Sequence, residues 1–384
     1  MTPKVIWLYP KLEKWMGGTR YVFECCKRLK NEYELIVVCQ KGNDLVLNEF
    51  IKQGIKIINL NSKSFTDIDF WLLFYKYLNR DIQNIKKLVD ASTVFISSMF
   101  PMNVIASNFN NRHIQIIYEP FAFFFDKDFI NYFGKDKVIF FKIMKHIYSK
   151  VDIDATRKST KILTLSNYEK NRIRRIYGVD SDVIYEGIDI DFFKPIDTRY
   201  LAQKYPDVFP LMHSTGFDTF KGTDLVINSL PLLKKYIPNF KVFITYTRIN
   251  KNKLNYYKSF INKNKLNLNV EFLGLLPYDK LPEYYSFSKF YLEPGKNRSM
   301  SLSNKEALAC GVPVIRGNDS SEEVIDGFNG FLVDPKSVDE LVEKIMIYFQ
   351  DKKKYEYVKS NTRKSIIDKF TWEKVIEKII YYIE

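Results

Sequence analysis

A lysine and a glutamate in the second half of the chain each lie at the start of a predicted helix, where a charged side chain could bind a ligand. Lys221 precedes Gly222 at a predicted strand–turn–helix junction, within STGFDTFKGTDLVINSLPLL. An ammonium group beside helix amides is well placed to bind a diphosphate. Glu306 lies at the start of another predicted helix, Lys305–Ala309, where a carboxylate can accept two ribose hydroxyls. The alternative interpretations are a surface lysine and an acid that stabilises a helix N-terminus.

A glycine pair near the N-terminus is a second candidate. The loop YPKLEKWMGGTRYVFECCKRL places Gly17 and Gly18 between a predicted strand and a predicted helix. Glycines let a backbone approach a ligand, and the helix N-terminus that follows favours an anion. A Gly-Gly pair also forms an ordinary turn, so this signal alone is weak.

Short apolar strands alternate with amphipathic helices along nearly the whole chain, which predicts an α/β protein with parallel sheets covered on both faces. The first set of predicted strands is Val5–Tyr9, Leu35–Cys39, Ile55–Leu60, Val94–Ser98, Ile114–Tyr118, Ile162–Ser166 and Val183–Glu186. The second set is Leu211–Thr215, Val242–Thr245, Val270–Leu273, Phe290–Glu293, Val312–Arg316 and Phe331–Val333. The predicted helices include Arg20–Lys30, Trp71–Val89 and Thr223–Tyr236. Two doubly wound, Rossmann-like domains would bind ligands at the carboxyl ends of their strands.

The periodic pattern lapses at Phe193–Tyr205, after DFFKP, and we place the domain seam there. This gives an N-terminal domain at residues 1–195 and a C-terminal domain at residues 196–370. Residues 371–384 predict a short amphipathic helix with one apolar face. That helix either packs back on the first domain or caps the second.

Composition limits the class of protein. The 384 residues are 46% hydrophobic and 27% charged, enough for two folded cores. A net charge of +14 predicts an anionic partner, namely a nucleotide, a phospholipid or a nucleic acid. No nucleic-acid-binding signature is present, so no nucleic-acid partner is expected. Four cysteines without a CxxC pair predict no zinc site, and they fit a reducing compartment. The lack of a signal peptide or a long apolar run predicts a cytoplasmic protein.

Three segments, in this order and spacing, resemble the retaining glycosyltransferases of family 4, which have the GT-B fold. They are LSNYEKNRIRRIYGVDSDVIYEGIDIDFFKP, STGFDTFKGTDLVINSLPLL and NKEALACGVPVIRGNDSSEEVIDGFNGFLVDP. The resemblance extends from the Gly-Gly loop to the FTWEKVIEKI ending. It implies two facing Rossmann-like domains and transfer of a hexose from a UDP-sugar or GDP-sugar to a glycan or lipid-linked acceptor.

The resemblance also assigns roles to residues. Lys221 would contact the donor phosphates, and Glu306 would bind the ribose. Glu323 would lie near the donor, with Glu322 as its rival, although an acid at a helix start is the alternative. Family members stabilise the leaving diphosphate with cations and amides, so we expect no cofactor and no essential metal.

The chain departs from the family pattern on the donor side. Arg298 stands where the family has the first of two glutamates, and Ser299, Met300, Ser301 and Leu302 replace the usual glycine-rich stretch. After the glycine that matches Gly216, Phe217 replaces the usual arginine. We expect Arg298 to bind the diphosphate beside Lys221, with the amides of residues 299–302 in the part of the glycine-rich loop. The alternative is a nucleotide-sugar-binding subunit without transferase activity.

A departure also occurs on the acceptor side. Tyr118, next to Glu119, stands about where many family members have a histidine. Glu119 is a candidate for the lost carboxylate; Glu293 is a weaker one because it lies on a predicted strand. His113 lies at a strand start and is interpreted as a surface residue.

A basic stretch predicts a membrane contact. Residues 135–175 hold twelve Lys or Arg against four Asp or Glu, and FAFFFDKDFINYF precedes them. Aromatic and basic side chains together suit an anionic bilayer, so the first domain would dock on the inner face of a membrane and use a lipid-linked acceptor. The alternative is a buried aromatic core beneath a solvated basic helix.

Overall fold

The chain divides into two compact units. The computed structural model describes residues 3–126, 135–215, 217, 220–246, 250–296, 300–318 and 322–384, with the side chains of 135–137 left out. The first unit comprises Met1–Glu186 and Trp372–Glu384, and the second comprises Gly187–Thr371. The division lies slightly before the seam predicted from the sequence. The physical reason is that Phe193, from the DFFKP segment, is buried against Tyr278 and Tyr285 of the second unit.

The first unit is built on a parallel sheet of seven strands among the residues described, in the order β3-β2-β1-β4-β5-β6-β7. The strands are β1 (Lys4–Leu12), β2 (Glu34–Gly42), β3 (Lys56–Asn59), β4 (Val94–Ser97), β5 (His113–Ile117), β6 (Lys161–Thr164) and β7 (Asp182–Val183). The chain first winds from β1 to β3 and then reverses direction at β4. The carboxyl ends of β1 and β4 therefore flank the switch point at which such sheets bind ligands.

Helices surround this sheet. They are α1 (Gly17–Leu29), α2 (Asp44–Lys52), α3 (Ile68–Leu72), α4 (Phe74–Lys86), α5 (Met102–Ala106), α6 (Ala122–Phe125), α7 (Lys135–Arg157) and α8 (Asn167–Tyr177). The single helix predicted at Trp71–Val89 is wrong, because the helical backbone is interrupted at Leu73, with φ −118° and ψ 30°. Trp71 and Phe74, on either side of this break, both enter the core.

The second unit has a parallel sheet in which the described strands run β10-β9-β8-β11-β12-β13. The strands are β8 (Phe209–Thr215), β9 (Phe240–Tyr246), β10 (Val270–Gly274), β11 (Phe290–Glu293), β12 (Val314–Gly317) and β13 (Gly330–Val333). The helices are α9 (Arg199–Lys204), α10 (Thr223–Tyr236), α11 (Lys251–Lys263), α12 (Leu281–Phe287), α13 (Leu302–Ala309), α14 (Val338–Gln350) and α15 (Lys352–Ile367). Here the switch point lies between β8 and β11.

The last helix, α16 (Trp372–Ile383), belongs to the first unit. Trp372, Val375 and Ile379 are buried in the same core cluster as Tyr21 and Cys25 of α1. Of the two placements that the sequence left open, the structure has the helix packed on the first domain. Within the ranges described, no helix is both long enough and apolar enough to cross a bilayer.

Candidate functional site

Two loops meet at the switch point of the second sheet. Gly222 begins the turn into α10 with φ +74°, a left-handed conformation that favours glycine. A Cβ atom at Gly222 would lie 2.4 Å from the backbone nitrogen of Gly295, so the loops after β8 and β11 touch through their backbones. This close approach brings Lys221, from the first loop, next to residues of the second.

Lys221 forms an ion pair with Glu293, which was the weaker candidate for the lost carboxylate. Its Nζ lies 2.5 Å from Oε2 of Glu293 and donates to Oγ of Ser301 at 3.0 Å. The Ser301 hydroxyl donates in turn to Glu293 at 2.9 Å. Glu293 does lie on a strand, as predicted, but it is the last residue of β11, so its side chain reaches the loop edge. The Lys221 side chain keeps 23% of its surface exposed, whereas that of Glu293 is fully buried.

A buried arginine completes this group of charges. Arg316 lies opposite Glu293 in the register of β11 and β12, and its Nη1 is 3.6 Å from Oε1 of Glu293. The same nitrogen is 2.5 Å from Oε1 of Glu323. We call Lys221, Glu293, Ser301, Arg316 and Glu323 the charge cluster. Burial would raise the pKa of Glu293, but the nearby Lys221 and Arg316 charges outweigh it and hold that pKa below its usual value.

Glu323 holds the loop in place. Its Oε1 accepts hydrogen bonds from the backbone N–H of Ser301 at 3.0 Å and from Nδ2 of Asn304 at 3.1 Å. The residue is completely buried. Its carboxylate therefore organises the start of α13, and in this structure it positions Ser301 from inside the protein.

Glu306 lies on α13, on the same loop–helix segment as Ser301. The helix begins at Leu302, so Glu306 is in its second turn, and the prediction that Glu306 begins the helix is wrong. Its Oε2 accepts a hydrogen bond from the Tyr285 hydroxyl at 3.0 Å, and the residue is only 7% exposed. Interpreting Glu306 as an acid that stabilises the helix N-terminus does not fit this position.

The structure describes only some of the remaining donor-side candidates. Phe217 is buried against Tyr246 and Tyr257, with φ +59°, so its ring belongs to the core. Met300 and Leu302 are half-buried. The predictions for Gly216, Arg298 and Ser299 lie outside the described residues.

A cavity of about 600 Å³ opens at the carboxyl ends of β1, β4 and β5 in the first unit. All four candidates from this unit line it: Gly17, Gly18, Tyr118 and Glu119. Aromatic side chains supply much of the remaining wall, among them Phe121. We call this space the first-unit cavity.

Gly18 is required by the packing at the cavity wall. A Cβ atom there would lie 2.4 Å from the Tyr9 hydroxyl and 3.0 Å from the ring of Tyr118, whereas one at Gly17 would meet nothing within 4 Å. Burial raises the pKa of Tyr118 well above its usual value. Desolvation also raises the pKa of Glu119, although Arg172 opposes this. Tyr118 therefore contributes a neutral hydroxyl to the cavity wall.

Asp152, on α7, is a cavity residue that the sequence gave no reason to select. It is 2% exposed, and its carboxylate accepts from Nδ2 of Asn103 at 2.7 Å and from the Tyr177 hydroxyl at 2.9 Å. Burial raises its pKa to about 6. Within the basic stretch its single negative charge looked like part of a solvated helix face, so no local signal distinguished it.

The prediction for His113 is wrong. The residue is 2% exposed, and its Nε2 lies 2.7 Å from the Ser97 hydroxyl on the neighbouring strand β4. Burial lowers its pKa to about 3, so the ring is neutral. Within the part of the chain that the structure describes, no three His, Cys, Asp or Glu side chains are grouped so that they could hold a metal ion.

Family models match both units. Residues 209–365 match the model of glycosyl transferases group 1, and residues 15–192 match that of glycosyltransferase family 4. The chain belongs to glycosyltransferase family 4. The resemblance noted in the sequence is thus confirmed, and glycosyl transfer is the activity of this class of protein.

Curated relatives of this chain are distant. An uncharacterized glycosyltransferase of Methanocaldococcus jannaschii is 28% identical over 236 residues, covering 58% of this chain and 58% of the relative. The GDP-mannose-dependent alpha-(1-6)-phosphatidylinositol monomannoside mannosyltransferase of Mycolicibacterium smegmatis is 24% identical over 226 residues, covering 54% of this chain and 58% of the relative. Each of these two matches therefore spans less than two thirds of the relative's length.

Solved structures match over nearly the whole chain. Anabaena HepE in complex with UDP has a TM-score of 0.79 at 16% identity, covering 98% of both chains. A glycosyltransferase from Rickettsia africae has a TM-score of 0.77 at 20% identity, covering 100% of this chain and 98% of the other. Identities this low show the fold alone, and they confirm the GT-B prediction.

Proposed function

We propose that this glycosyltransferase moves a hexose from a nucleoside-diphosphate sugar to a glycan or lipid-linked acceptor, with retention at the anomeric carbon and without a metal ion. The observation that carries the proposal is the switch-point edge of the second unit. There the partly exposed side chain of Lys221 places its ammonium beside Ser301, and Glu306 follows on the helix that Ser301 introduces. Lys221 binds the donor diphosphate and Glu306 the ribose.

The chemistry of the leaving group gives Lys221 its role. As the glycosidic bond breaks, negative charge develops on the nucleoside diphosphate. A fixed cation and backbone amides stabilise that charge without reorganising at the moment of reaction. The names of similar proteins include GDP-mannose and UDP, which supports UDP or GDP as the nucleotide.

Arg298 supplies a second cation in this proposal. Its sequence position, between Glu293 and Ser301 in the loop after β11, supports a place near the diphosphate. We expect Arg298→Ala to lower turnover more than tenfold, because a forked hydrogen bond to the phosphates is lost. Arg298→Glu is expected to be worse still. An Arg298→Glu variant as active as the parent would contradict this role.

A second function has two observations in its favour. Lys221 is already bound to a buried carboxylate, and the family acid at position 298 is replaced. Both features suit a subunit that binds a nucleotide sugar without transferring the sugar. Release of free nucleotide from a bound donor in the presence of acceptor extracts distinguishes the two functions, since only the enzyme releases it.

A thermal-shift screen of nucleotide sugars tests the donor. A ligand at 100 times its dissociation constant adds about 2.7 kcal/mol to the free energy of unfolding. We expect a UDP-sugar or GDP-sugar to raise the melting temperature more than its free sugar does. If no nucleotide sugar raises it at millimolar concentration, the proposal is wrong.

The acceptor side of the proposal rests on the first unit. Lys11 and Lys14 line the same cavity as the aromatic side chains, a combination that suits a phosphate-linked lipid. Helix α7 exposes three isoleucines one turn apart, Ile139, Ile143 and Ile147, at 60%, 50% and 51%. Exposed lysines lie beside them at Lys142 and Lys150. This face suits peripheral docking on the inner, cytoplasmic surface of an anionic membrane.

The aromatic residues described near this helix have a different role from the one predicted. Phe121, Phe124 and Tyr148 are buried in the first-unit core, where Phe124 and Tyr148 pack against Trp71. For them the alternative of a buried aromatic core is the right one. The predicted membrane contact of residues 127–134 lies outside the described residues.

Vesicle sedimentation at low salt tests the docking. We expect the chain to bind anionic vesicles more than neutral ones, and the paired change Ile143→Asp and Ile147→Asp to remove that preference. The matched control is Leu45→Asp with Ile51→Asp on α2, two apolar residues that are 79% and 57% exposed. Equal loss in both pairs, or no preference in the parent, would contradict docking through α7.

A further inference from the structure

The charge cluster contains an acid that donor binding does not require. A buried carboxylate, Glu293, lies against the one ammonium that the proposed function assigns to the donor phosphates. A negative charge at this place repels an approaching diphosphate and weakens the pull of Lys221 on it. The structural question is what such an acid contributes to a site built for anions.

We propose that Glu293 competes with the donor diphosphate for Lys221, and that Arg316 holds Glu293 when the donor takes the lysine away. Glu293 is then a positioning residue: it keeps the ammonium at the loop edge in the empty site and weakens donor binding. The inference rests on the proposed function and adds a control of affinity to it.

The geometry gives Glu293 two cations on opposite oxygens. Lys221 lies 2.5 Å from Oε2, and Arg316 lies 3.6 Å from Oε1. Arg316 is completely buried, so it cannot reach a ligand without a large rearrangement, whereas the Lys221 side chain is 23% exposed. One cation can therefore turn toward a ligand while the other stays with the acid.

Ser301 links this exchange to the loop. Its hydroxyl accepts from Lys221 and donates to Glu293, while its backbone N–H is held by Glu323. When Lys221 moves toward a phosphate, the Ser301–Glu293 hydrogen bond and the Arg316 contact remain. The acid therefore keeps two partners in the donor-bound state, which avoids an unpaired buried charge.

The decisive variant is Glu293→Gln, which keeps the shape and can still accept from Ser301 but removes the charge. We expect UDP or GDP, measured by titration calorimetry, to bind about fivefold more tightly, because Lys221 no longer has a competing anion. In turnover assays KM and kcat should fall together, since the lysine is held less firmly. A merely structural role for Glu293 predicts the opposite sign, with weaker binding as the loop loosens.

Two controls make the result specific. Glu323→Gln also removes a buried acid from Arg316 and loosens the loop. It leaves the carboxylate that binds Lys221 in place, so it should not tighten nucleotide binding. In the Lys221→Met background, Glu293→Gln should give no tightening. Tightening that persists without Lys221 would overturn the proposal.

A variant that fails to fold can be distinguished from a failure of this inference and from a failure of the proposed function. If Glu293→Gln does not fold, the triple variant Glu293→Gln, Arg316→Met and Glu323→Gln removes both buried acids together with the buried cation that they share, and it is also expected to bind the nucleotide more tightly than the parent. A parent that binds UDP or GDP, with neither variant binding more tightly, overturns this inference alone. A parent that binds neither nucleotide overturns the proposed function as well.

Discussion

The pKa values of carboxyl groups at the two sheet edges shift in opposite directions. At the second-unit edge, Lys221 and Arg316 hold the pKa of Glu293 below its usual value in spite of complete burial. At the first-unit cavity, burial raises the pKa of Asp152 to about 6 and desolvation raises that of Glu119. The buried carboxylate at the second edge is thus compensated by two cations, while at the first the carboxyls with raised pKa lie among the aromatic walls that we assign to a lipid-linked acceptor.

Lys221→Ala removes the partly exposed cation from the second-unit edge. We expect nucleotide binding to weaken by about 2 kcal/mol, roughly thirtyfold, because the phosphates lose a cation. The melting temperature should also fall, since Glu293 keeps a buried charge with one partner fewer. Calorimetry with UDP and GDP measures the first effect. Lys253→Ala, which removes a lysine 3.7 Å from the half-exposed Asp224, is the control and should change neither quantity appreciably.

Glu306→Ala probes the same edge through a different group. The loss of a charged acceptor for the ribose should weaken nucleotide binding by about 1.5 kcal/mol, roughly tenfold. Tyr285→Phe removes the hydrogen bond to Glu306 but keeps the carboxylate, so binding should change much less. Equal losses in the two variants would mean that Glu306 serves the fold and does not touch the ribose.

Gly18→Ala tests the packed wall of the first-unit cavity. The new Cβ atom collides with Tyr9 and Tyr118, so we expect a loss of about 1 to 2 kcal/mol in the free energy of unfolding. Gly17→Ala, next to it in open space, is the matched control and should be nearly neutral. Chemical denaturation measures both, and nucleotide binding should be unaffected if the two edges have the separate roles assigned to them.

Asp152→Asn tests the raised pKa of the Asp152 carboxyl at the first-unit cavity. A carboxyl whose folded pKa lies above its unfolded value destabilises the protein when ionised, so the parent should gain stability as the pH falls through about 6. Relative to the variant, we expect the parent to gain about 1 kcal/mol between pH 7 and pH 5. Denaturation curves at several pH values give this difference. Parallel curves for parent and variant would show that the carboxyl is not desolvated.

Much of the framework could be predicted from the sequence because buried parallel strands are continuous apolar runs. The bounds of β11 and α10 match the predicted ones, and the other strands differ by a few residues. Helix boundaries were less certain: α13 begins three residues earlier than predicted, at Leu302, and so Glu306 is not at its start. Local patterns record which residues are apolar, but they do not fix where a helix is capped.

The paired charges could not be predicted in the same way. Arg316 looked like the polar end of an apolar strand, and only the register of β11 with β12 places it beside Glu293. Glu293 was ranked low for lying on a strand, although the last residue of a strand can reach the loop edge. Such pairs depend on which strands become neighbours, and that information is spread over the whole chain.

Helix α16 means that the first unit is assembled from both ends of the sequence. On a ribosome, residues 187–371 emerge before this helix does, so the contiguous second unit can finish folding while its partner still lacks a piece. Until then, the surface of α1 that Trp372 and Val375 cover is bare apolar surface. During synthesis there is thus an interval in which the second unit can be fully folded while the first unit still exposes an apolar surface that chaperones can bind.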